Sequence, residues 1–291
     1  MSNYHLGVLK KEVEIYLNVR SQEKYVDCTI GGGDHTEQIL KRGGLVLGID
    51  RDIEAIDYCL HRFKEHVEKE RLVLAHANFS NIYRIALEKG FEKVSGIIYD
   101  LGVSSFQLNT MRRGFSFKDP QAPLDMRMGN VEKVSAADLL NTLSLDQIKK
   151  VFITYGQVEK AQILAEKIVE ARRKIKICKV KDLLSIVDLV YKGRGKTHPA
   201  TKVFLALRIA VNLELAHLKE SLPRAVSLLK ESGRIVVISF HSLEDRQVKL
   251  FGRSQNNLRP VSKIILPGKE EILSNPRSRS AKMRVYSKIK R

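Results

Sequence analysis

The sequence contains few cysteines and no long apolar run. Its three cysteines, Cys28, Cys59 and Cys178, are far apart in the chain, so neither a zinc site nor a disulfide framework is predicted. No apolar stretch approaches the roughly 20 residues that a membrane span requires, and the N-terminal residues lack the pattern of a signal peptide. We therefore expect a cytoplasmic protein that holds no metal ion and does not enter a membrane.

Acidic residues are scarce relative to basic ones. The chain has 33 Asp and Glu against 51 Lys and Arg, a formal net charge of +18 at pH 7. An excess of this size bears on the choice of partner rather than on the fold, and it favours a polyanion such as a nucleic acid. Two segments rich in Lys and Arg, 172–181 and 274–291, contain no acid and suit phosphate contact. A merely solvated basic surface is the alternative.

One stretch near the N-terminus has the pattern of a nucleotide-binding βαβ unit. Its parts are an apolar strand at 25–30, glycines at 31–33, a helical pattern at 35–42 and a second apolar strand at 45–49 that ends on Asp50. Glycines allow a ligand to approach the main chain, and an acid at the end of the second strand can accept both hydroxyls of a ribose. An ordinary tight turn is the alternative interpretation.

This stretch differs from a dinucleotide-binding fingerprint at two positions. Thr36 stands where the third glycine is needed, and Asp34 lies where a phosphate would be repelled. A nucleoside without phosphate therefore fits better than NAD, which disfavours a nicotinamide-dependent oxidoreductase. S-adenosylmethionine is the common ligand of this kind.

Strands and helices alternate over the first hundred residues. Further strands are predicted at 71–77 and 94–101, and helices at 8–17, 53–64 and 79–89. The alternation requires an α/β fold, with a parallel sheet and helices on both faces, and ligands of such sheets bind where the strands end. Groups near four strand ends should then share one edge: residues 31–35, Asp50, Phe79 and Asp100.

The alternation stops after Asp100. Residues 102–128 form an irregular stretch much longer than an ordinary connection, which suggests a segment that covers a site. Residues 135–191 are predicted to be helical, with Ser135 and Ser144 as helix caps. The sheet domain is therefore predicted to consist of 1–105 and 198–291, with 106–197 as an active-site loop and an inserted helical substrate-recognition subdomain.

The predicted C-terminal part returns to the sheet. A helix is predicted at 202–218, and strands at 233–240 and 281–289. Ser242 is predicted to cap the helix after the first of these strands, with Asp245 completing the cap.

Nine blocks of sequence resemble those of one protein family. They are DCTIGGGDH, GIDRD, DLGVSSFQL, RGFSF, PLDMRM, HPAT, ALRIAVN, ISFHSLEDR and NPRSRSAKMRV, in the family's order across nearly the whole chain. The family is the bacterial small-subunit (16S) ribosomal RNA cytosine-N4 methyltransferase family. The resemblance implies a class I S-adenosylmethionine-dependent methyltransferase, with a Rossmann-like, mostly parallel sheet and an inserted helical subdomain.

The resemblance also implies site residues. By position, contacts to the methyl donor fall on Gly33, Asp34, His35, Asp50, Phe79, Asp100 and Gln107. This set agrees with the strand-end residues identified without it. The chain departs from the family's pattern at several positions, among them Asp34 in place of a glycine and Gly7 in place of a proline.

The implied chemistry is an in-line transfer of a methyl group from a sulfonium to the cytosine N4, so the protein mainly holds the two partners close and collinear. An acceptor for N4–H would localise the delocalised lone pair and then take the proton. Asp100 is the first candidate, main-chain carbonyls of 102–105 are the second, and Asp125 is a more remote one. Stacking partners for an extruded base are offered by Phe106, Phe115 and Phe117.

The product implied by the resemblance is N4-methylcytidine in the decoding region of small-subunit ribosomal RNA, formed within a small-subunit particle. Two alternatives stay open on the residues alone. The same fold could methylate another nucleic acid or a protein, and a non-catalytic RNA-binding assembly factor would also carry a basic surface. The sequence does not decide between a monomer and a homodimer.

Overall fold

The computed structural model describes residues 7–102, 113–129, 133–191 and 198–290. Contacts within the chain divide it into two compact units, residues 1–104 with 215–291, here called the sheet unit, and residues 105–214, here called the helical unit. In the described ranges, no helix combines the length and the apolar character that crossing a membrane demands.

The sheet unit is built on seven strands. They are β1 (Lys24–Asp27), β2 (Leu45–Asp50), β3 (Leu72–His76), β4 (Val94–Asp100), β5 (Leu229–Ser239), β6 (Leu258–Pro260) and β7 (Lys282–Lys288). Their order is β3-β2-β1-β4-β5-β7-β6; neighbours from β3 to β5 are parallel, and β7 is antiparallel to β5 and β6. This arrangement confirms the predicted class I methyltransferase fold. The three-residue strand β6 was not predicted from the sequence pattern.

Thirteen α-helices occur in the described ranges. They are α1 (Lys10–Leu17), α2 (Asp34–Lys41), α3 (Ile53–Arg62), α4 (Lys64–Glu68), α5 (Ile82–Glu88), α6 (Ala136–Thr142), α7 (Leu145–Val151), α8 (Ala161–Arg172), α9 (Val180–Val190), α10 (Ala200–Asn212), α11 (Glu214–Leu228), α12 (Ser242–Ser254) and α13 (Lys269–Ser274). Short 3₁₀ turns lie at Phe79–Asn81 and Pro276–Ser280.

Both faces of the sheet are buried, as the alternating pattern predicted. Val26 and Ile97 pack into one apolar cluster with residues of α5, α11 and α12. Tyr25 and Ile98, their neighbours in sequence, point to the opposite face and pack with α1, α2 and α3. Because successive residues of a strand alternate between faces, strands buried on both sides read as continuous apolar runs.

Within the helical unit, Ser135 and Ser144 cap α6 and α7 as predicted, each in a reciprocal capping box. Within the stretch predicted to be helical, α8 begins only at Ala161. Before it, Phe152–Gly156 forms a π-helical turn, and Gln157 follows with a left-handed φ of 49°. This turn interrupts an otherwise helical pattern without a proline, which is why the sequence did not indicate it.

The predicted boundary at 198 differs from the division in the structure, which places α10 in the helical unit. A Cβ added at Gly156 would lie 2.6 Å from the carbonyl oxygen of Lys202, so α10 packs backbone to backbone against the π-helical turn. The predicted single helix at 202–218 is likewise two helices. Leu213, with φ 49°, adopts the left-handed conformation that separates α10 from α11.

The predicted cap of α12 is wrong by one residue. His241, not Ser242, is the N-cap, and its Nδ1 accepts a hydrogen bond from the main-chain N–H of Glu244 at 3.3 Å. The Glu244 carboxylate in turn accepts the main-chain N–H groups of Phe240 and His241. Histidine is rarely a cap, and the buried Glu244, rather than Asp245, fixes where the helix starts.

Candidate functional site

The predicted residues of the sheet unit lie where parallel strands end. Asp50 is the last residue of β2 and Asp100 the last residue of β4. β1, which lies between them, ends at Asp27 and leads through the glycine turn into α2. Phe79 begins the 3₁₀ turn that follows β3. The structure therefore brings these segments to one edge of the sheet, as the alternating pattern predicted.

The glycine turn ends at Gly33. This residue has φ 82° and stands directly before α2. A Cβ at Gly33 would lie 2.3 Å from the ring carbon Cε2 of Phe63, so a side chain there would have to displace that ring. Glycine satisfies both the left-handed φ and the close contact with Phe63.

Asp50 is bonded to the same turn. Its Oδ2 accepts the main-chain N–H of Gly31 and its Oδ1 accepts that of Asp52, both at 2.9 Å. Each carboxylate oxygen can accept a further hydrogen bond, so two ribose hydroxyls still find acceptors. Burial raises the pKa of Asp50 to about 6, against the opposing effect of the two amide bonds. The carboxylate is therefore protonated in mildly acidic solution.

Asp34 is the residue predicted to disturb a ligand. Its Oδ2 accepts the main-chain N–H of Gly7 at 2.7 Å, and its Oδ1 accepts from the Arg62 guanidinium at 2.9 Å. The Lys10 ammonium lies 3.8 Å from the same carboxylate. Two cations thus compensate the charge of Asp34 within the sheet unit, which removes most of the repulsion expected from the sequence.

His35 and Asp100 form a close pair. The His35 ring is 5% exposed, and its Nε2 lies 3.4 Å from Asp100 Oδ2. Among the residues that the structure describes, neither ring nitrogen of His35 nor Asp100 Oδ1 has a hydrogen-bond partner. Burial alone would lower the pKa of His35, but the carboxylates of Asp100, Asp27 and Asp34 outweigh burial and raise it.

Phe79 is half-buried beside β4. Its ring meets the ring of Tyr99 edge-on, with centroids 5.5 Å apart. The hydroxyl of Ser221, in α11, donates to the main-chain carbonyl of Phe79 at 2.9 Å and also bonds the Tyr99 hydroxyl. The 3₁₀ turn is therefore held in place by the core below it.

Asp125, the remote candidate for proton acceptor, lies in the helical unit. Arg127 binds it with two hydrogen bonds, Nε to Oδ1 at 2.7 Å and Nη2 to Oδ2 at 2.8 Å. Burial would raise the pKa of Asp125, but this pairing outweighs it and lowers the pKa. A carboxylate paired in this way accepts a proton less readily than a free one.

The aromatic candidates have different surroundings. Phe117 stacks on His198 with centroids 5.0 Å apart and meets Phe204 edge-on. Phe115 is 9% exposed, and the Arg113 guanidinium lies over its ring. Three further predictions fall outside the described residues, namely Gln107, Phe106 and the carbonyls of 103–105.

Sequence reasoning missed two contributors to this edge. Arg62 reaches back from the end of α3 to Asp34, a relation between distant positions that no local pattern reveals. Asp27, 1% exposed, accepts the Thr36 hydroxyl at 2.8 Å. The signal in the sequence was an acid inside an otherwise apolar strand. The same hydrogen bond gives a role to Thr36, which stands where a dinucleotide-binding fingerprint has its third glycine: it connects α2 to β1.

Comparison with known proteins identifies relatives along the whole chain. The model of the MraW methylase family matches residues 2–289. Ribosomal RNA small subunit methyltransferase H of Dictyoglomus thermophilum is 43% identical over 290 residues, covering 98% of this chain and 97% of its own. The protein of that name from Persephonella marina is 42% identical over 296 residues, covering 98% and 99%.

Solved structures are more loosely similar. An rRNA methylase from Streptococcus thermophilus aligns with a TM-score of 0.44 at 11% identity, over 97% of this chain and 94% of that one. The fold assignment accordingly rests on the strand order given above, and the family assignment on the sequence relatives. The chain belongs to the MraW methylase family, which confirms the resemblance of its nine sequence blocks.

Proposed function

We propose that the protein transfers a methyl group from S-adenosylmethionine to the N4 amine of a cytidine in the decoding region of small-subunit ribosomal RNA. The observation that carries the proposal is the strand-end edge of this methylase, where a glycine turn lies between Asp50 and Asp100. Two acids so placed, one beside an open stretch of main chain, suit a nucleoside carrying a cation better than a nucleotide carrying phosphates.

The residues present fit the donor. Asp50 keeps an unused acceptor position on each carboxylate oxygen for the ribose hydroxyls. The main chain of the glycine turn is open to close approach at Gly31, where an added Cβ would meet only the Thr29 carbonyl oxygen, at 3.8 Å. Bound there, S-adenosylmethionine supplies a methyl group activated by its sulfonium. Its remaining proposed contacts are Asp34, His35, Phe79, Asp100 and Gln107.

Asp100 is the proposed proton acceptor. Its main-chain N–H donates to the Thr29 hydroxyl at 2.7 Å, which fixes the end of β4, while Oδ1 accepts no hydrogen bond from the described residues. A buried carboxylate oxygen in this state favours a donor such as the N4–H of cytosine. Accepting that hydrogen bond localises the nitrogen lone pair, and the same oxygen then holds the released proton. Asp125, tied to Arg127, is the weaker proposal.

The helical unit is proposed to recognise the RNA. Arg173, Lys174 and Lys176, which follow α8, are exposed and can meet phosphates. The RNA is proposed to be presented by a small-subunit particle in the cytoplasm, because a base must leave its stack to be methylated and a folded particle can hold it so.

Nucleoside mass spectrometry tests this function. Small-subunit RNA from cells lacking the protein should lose one N4-methylcytidine, and adding purified protein with S-adenosylmethionine to those particles should restore it. The Asp100→Asn variant is the matched control: an assembly factor without catalysis would act equally well with this substitution. An unchanged N4-methylcytidine signal, or loss of a methyl group from another base or from a protein, would contradict the proposal.

A further inference from the structure

His35 is a proposed donor contact, but its side chain has no part in the proton transfer assigned to Asp100, and its surroundings are unusual. It is a nearly fully buried imidazole at the start of α2. Three carboxylates, those of Asp100, Asp27 and Asp34, raise its pKa against the effect of burial. A buried histidine that merely fills space normally has at least one nitrogen hydrogen-bonded, and within the described residues neither nitrogen of His35 has a hydrogen-bond partner.

Only one of the three carboxylates needs His35. Asp27 accepts the Thr36 hydroxyl at 2.8 Å and the main-chain N–H of Thr29 at 3.2 Å.

The Asp34 carboxylate likewise has hydrogen-bond donors, the Gly7 main-chain N–H and the Arg62 guanidinium, and the Lys10 ammonium lies nearby. The Asp100 carboxylate, in contrast, receives no hydrogen bond from the part of the chain that the structure describes. In the described part of the chain, His35 Nε2 is a donor close to this carboxylate, 3.4 Å from Oδ2. The distance exceeds that of a formed charge-assisted hydrogen bond, about 2.7–2.9 Å, so a small movement completes it.

We propose that His35 is a positioning residue for Asp100: its imidazolium holds Oδ2, so that Oδ1 faces the amine to be methylated as an ionised acceptor. This inference rests on the proposed function. In the step it serves, the amine nitrogen bonds the methyl carbon while the sulfur–carbon bond breaks and leaves its electron pair on sulfur. The nitrogen then loses one proton, and Asp100 Oδ1 receives it.

The first test needs no catalysis. The ring resonances of His35 are assigned through bonds and followed by NMR as pH is varied, in the donor-free protein and in Asp100→Asn. The isosteric substitution removes the charge, so the His35 midpoint should shift down. His66, whose pKa burial and Arg71 lower without any effect of Asp100, is the control and should keep its midpoint. An unchanged His35 midpoint in Asp100→Asn overturns the pairing.

The second test measures the pH dependence of the single-turnover rate. In wild type the rate should fall as pH rises through the His35 midpoint, because the imidazolium is lost. His35→Gln, which can still donate to Oδ2 but does not titrate, should lack this fall. His35→Ala should be slower than His35→Gln, on the order of tenfold below wild type, which is a smaller loss than the 10²- to 10⁴-fold effect of direct acid–base catalysis.

Equal pH profiles in wild type and His35→Gln, or equal rates in His35→Gln and His35→Ala, would show that His35 is only structural. If instead wild type forms no N4-methylcytidine, the proposed function fails, and the NMR result still decides whether His35 is paired with Asp100.

Discussion

The main-chain N–H of Gly7 donates a hydrogen bond to Asp34 Oδ2 at 2.7 Å. Both residues depart from the pattern that the sequence resemblance implies, a proline at the first position and a glycine at the second. A proline has no N–H to donate, and a glycine has no carboxylate to accept. The two departures therefore depend on each other, and a Cβ at Gly7 would also lie 3.0 Å from the Asp34 Cβ.

A double-mutant cycle measures this dependence. Gly7→Pro and Asp34→Gly should each destabilise the protein, and the double variant should lose less than the sum, with a coupling energy of about 0.5–3 kcal/mol. Urea unfolding of the wild type and the three variants gives the four free energies of unfolding. Glu37→Ala is the control, since Glu37 also binds Arg62 but not Gly7; combined with Gly7→Pro it should be additive. Additivity in the Asp34 cycle would contradict the pairing.

Donor affinity should depend on the protonation of Asp50. Its folded-state pKa of about 6 lies above the ordinary 3.8. The folded protein therefore binds this proton more tightly, and the ionised carboxylate reduces stability as pH rises through about 6. Ribose hydroxyls need the ionised form, so affinity for S-adenosylhomocysteine, measured by calorimetry, should increase between pH 5 and 7.

Asp50→Asn should remove that increase and weaken binding at pH 7 by about 1.5–3 kcal/mol, the range of hydrogen bonds to a charged group. A variant that retains the wild-type pH dependence would show that another group titrates.

Asp100→Asn should preserve the fold and RNA affinity while lowering the single-turnover rate by about 10²- to 10⁴-fold, because it removes the acceptor without changing its shape. Filter binding and rapid-quench assays separate the two effects. Asp125→Asn is the informative comparison: its carboxylate is already held by Arg127, so the loss should be smaller. If Asp125→Asn lowered the single-turnover rate more than Asp100→Asn, Asp125 and not Asp100 would be the proton acceptor.

RNA binding should weaken steeply with salt, since phosphate contacts release counterions. Neutralising Arg173, Lys174 and Lys176 together should reduce the slope of log affinity against log salt by about 0.7–0.9 for each phosphate that the variant no longer neutralises. The matched control is Lys64 with Lys69, exposed lysines paired with acids one helical turn away. An equal change in slope for the control pair would show that the cluster has no special role.

Arg172 belongs to the same basic run but should behave differently. Its guanidinium donates to the main-chain carbonyls of Leu140 and Leu143 at 2.6 and 2.7 Å, at the end of α6. Arg172→Ala should therefore lower the free energy of unfolding by about 1–3 kcal/mol, the cost of leaving such groups unpaired, and leave the salt slope unchanged. A change in the salt slope without a change in the free energy of unfolding would show that Arg172 contacts RNA instead.

The sequence predicted the features that follow from the alternation of strands and helices and from the residues at the strand ends. Apolar runs ending on Asp50 and Asp100 placed both acids on one edge, because parallel order and strand ends follow from alternation alone. It could not predict Arg62 beside Asp34, since that contact depends on how α3 packs. Nor could it locate the break at Leu213, where a leucine, and not a glycine or proline, adopts the left-handed conformation.

The pairing of β4 with β5 joins Val94–Asp100 to Leu229–Ser239, on the far side of the helical unit in sequence. A ribosome adding about 5–20 residues per second needs roughly 6–26 s to make the intervening segment. During that time β4 is the open edge of a four-stranded sheet, with an apolar strand and unpaired main-chain groups available to other chains. Nascent chains of this protein should thus depend on a chaperone in proportion to how slowly that segment is translated.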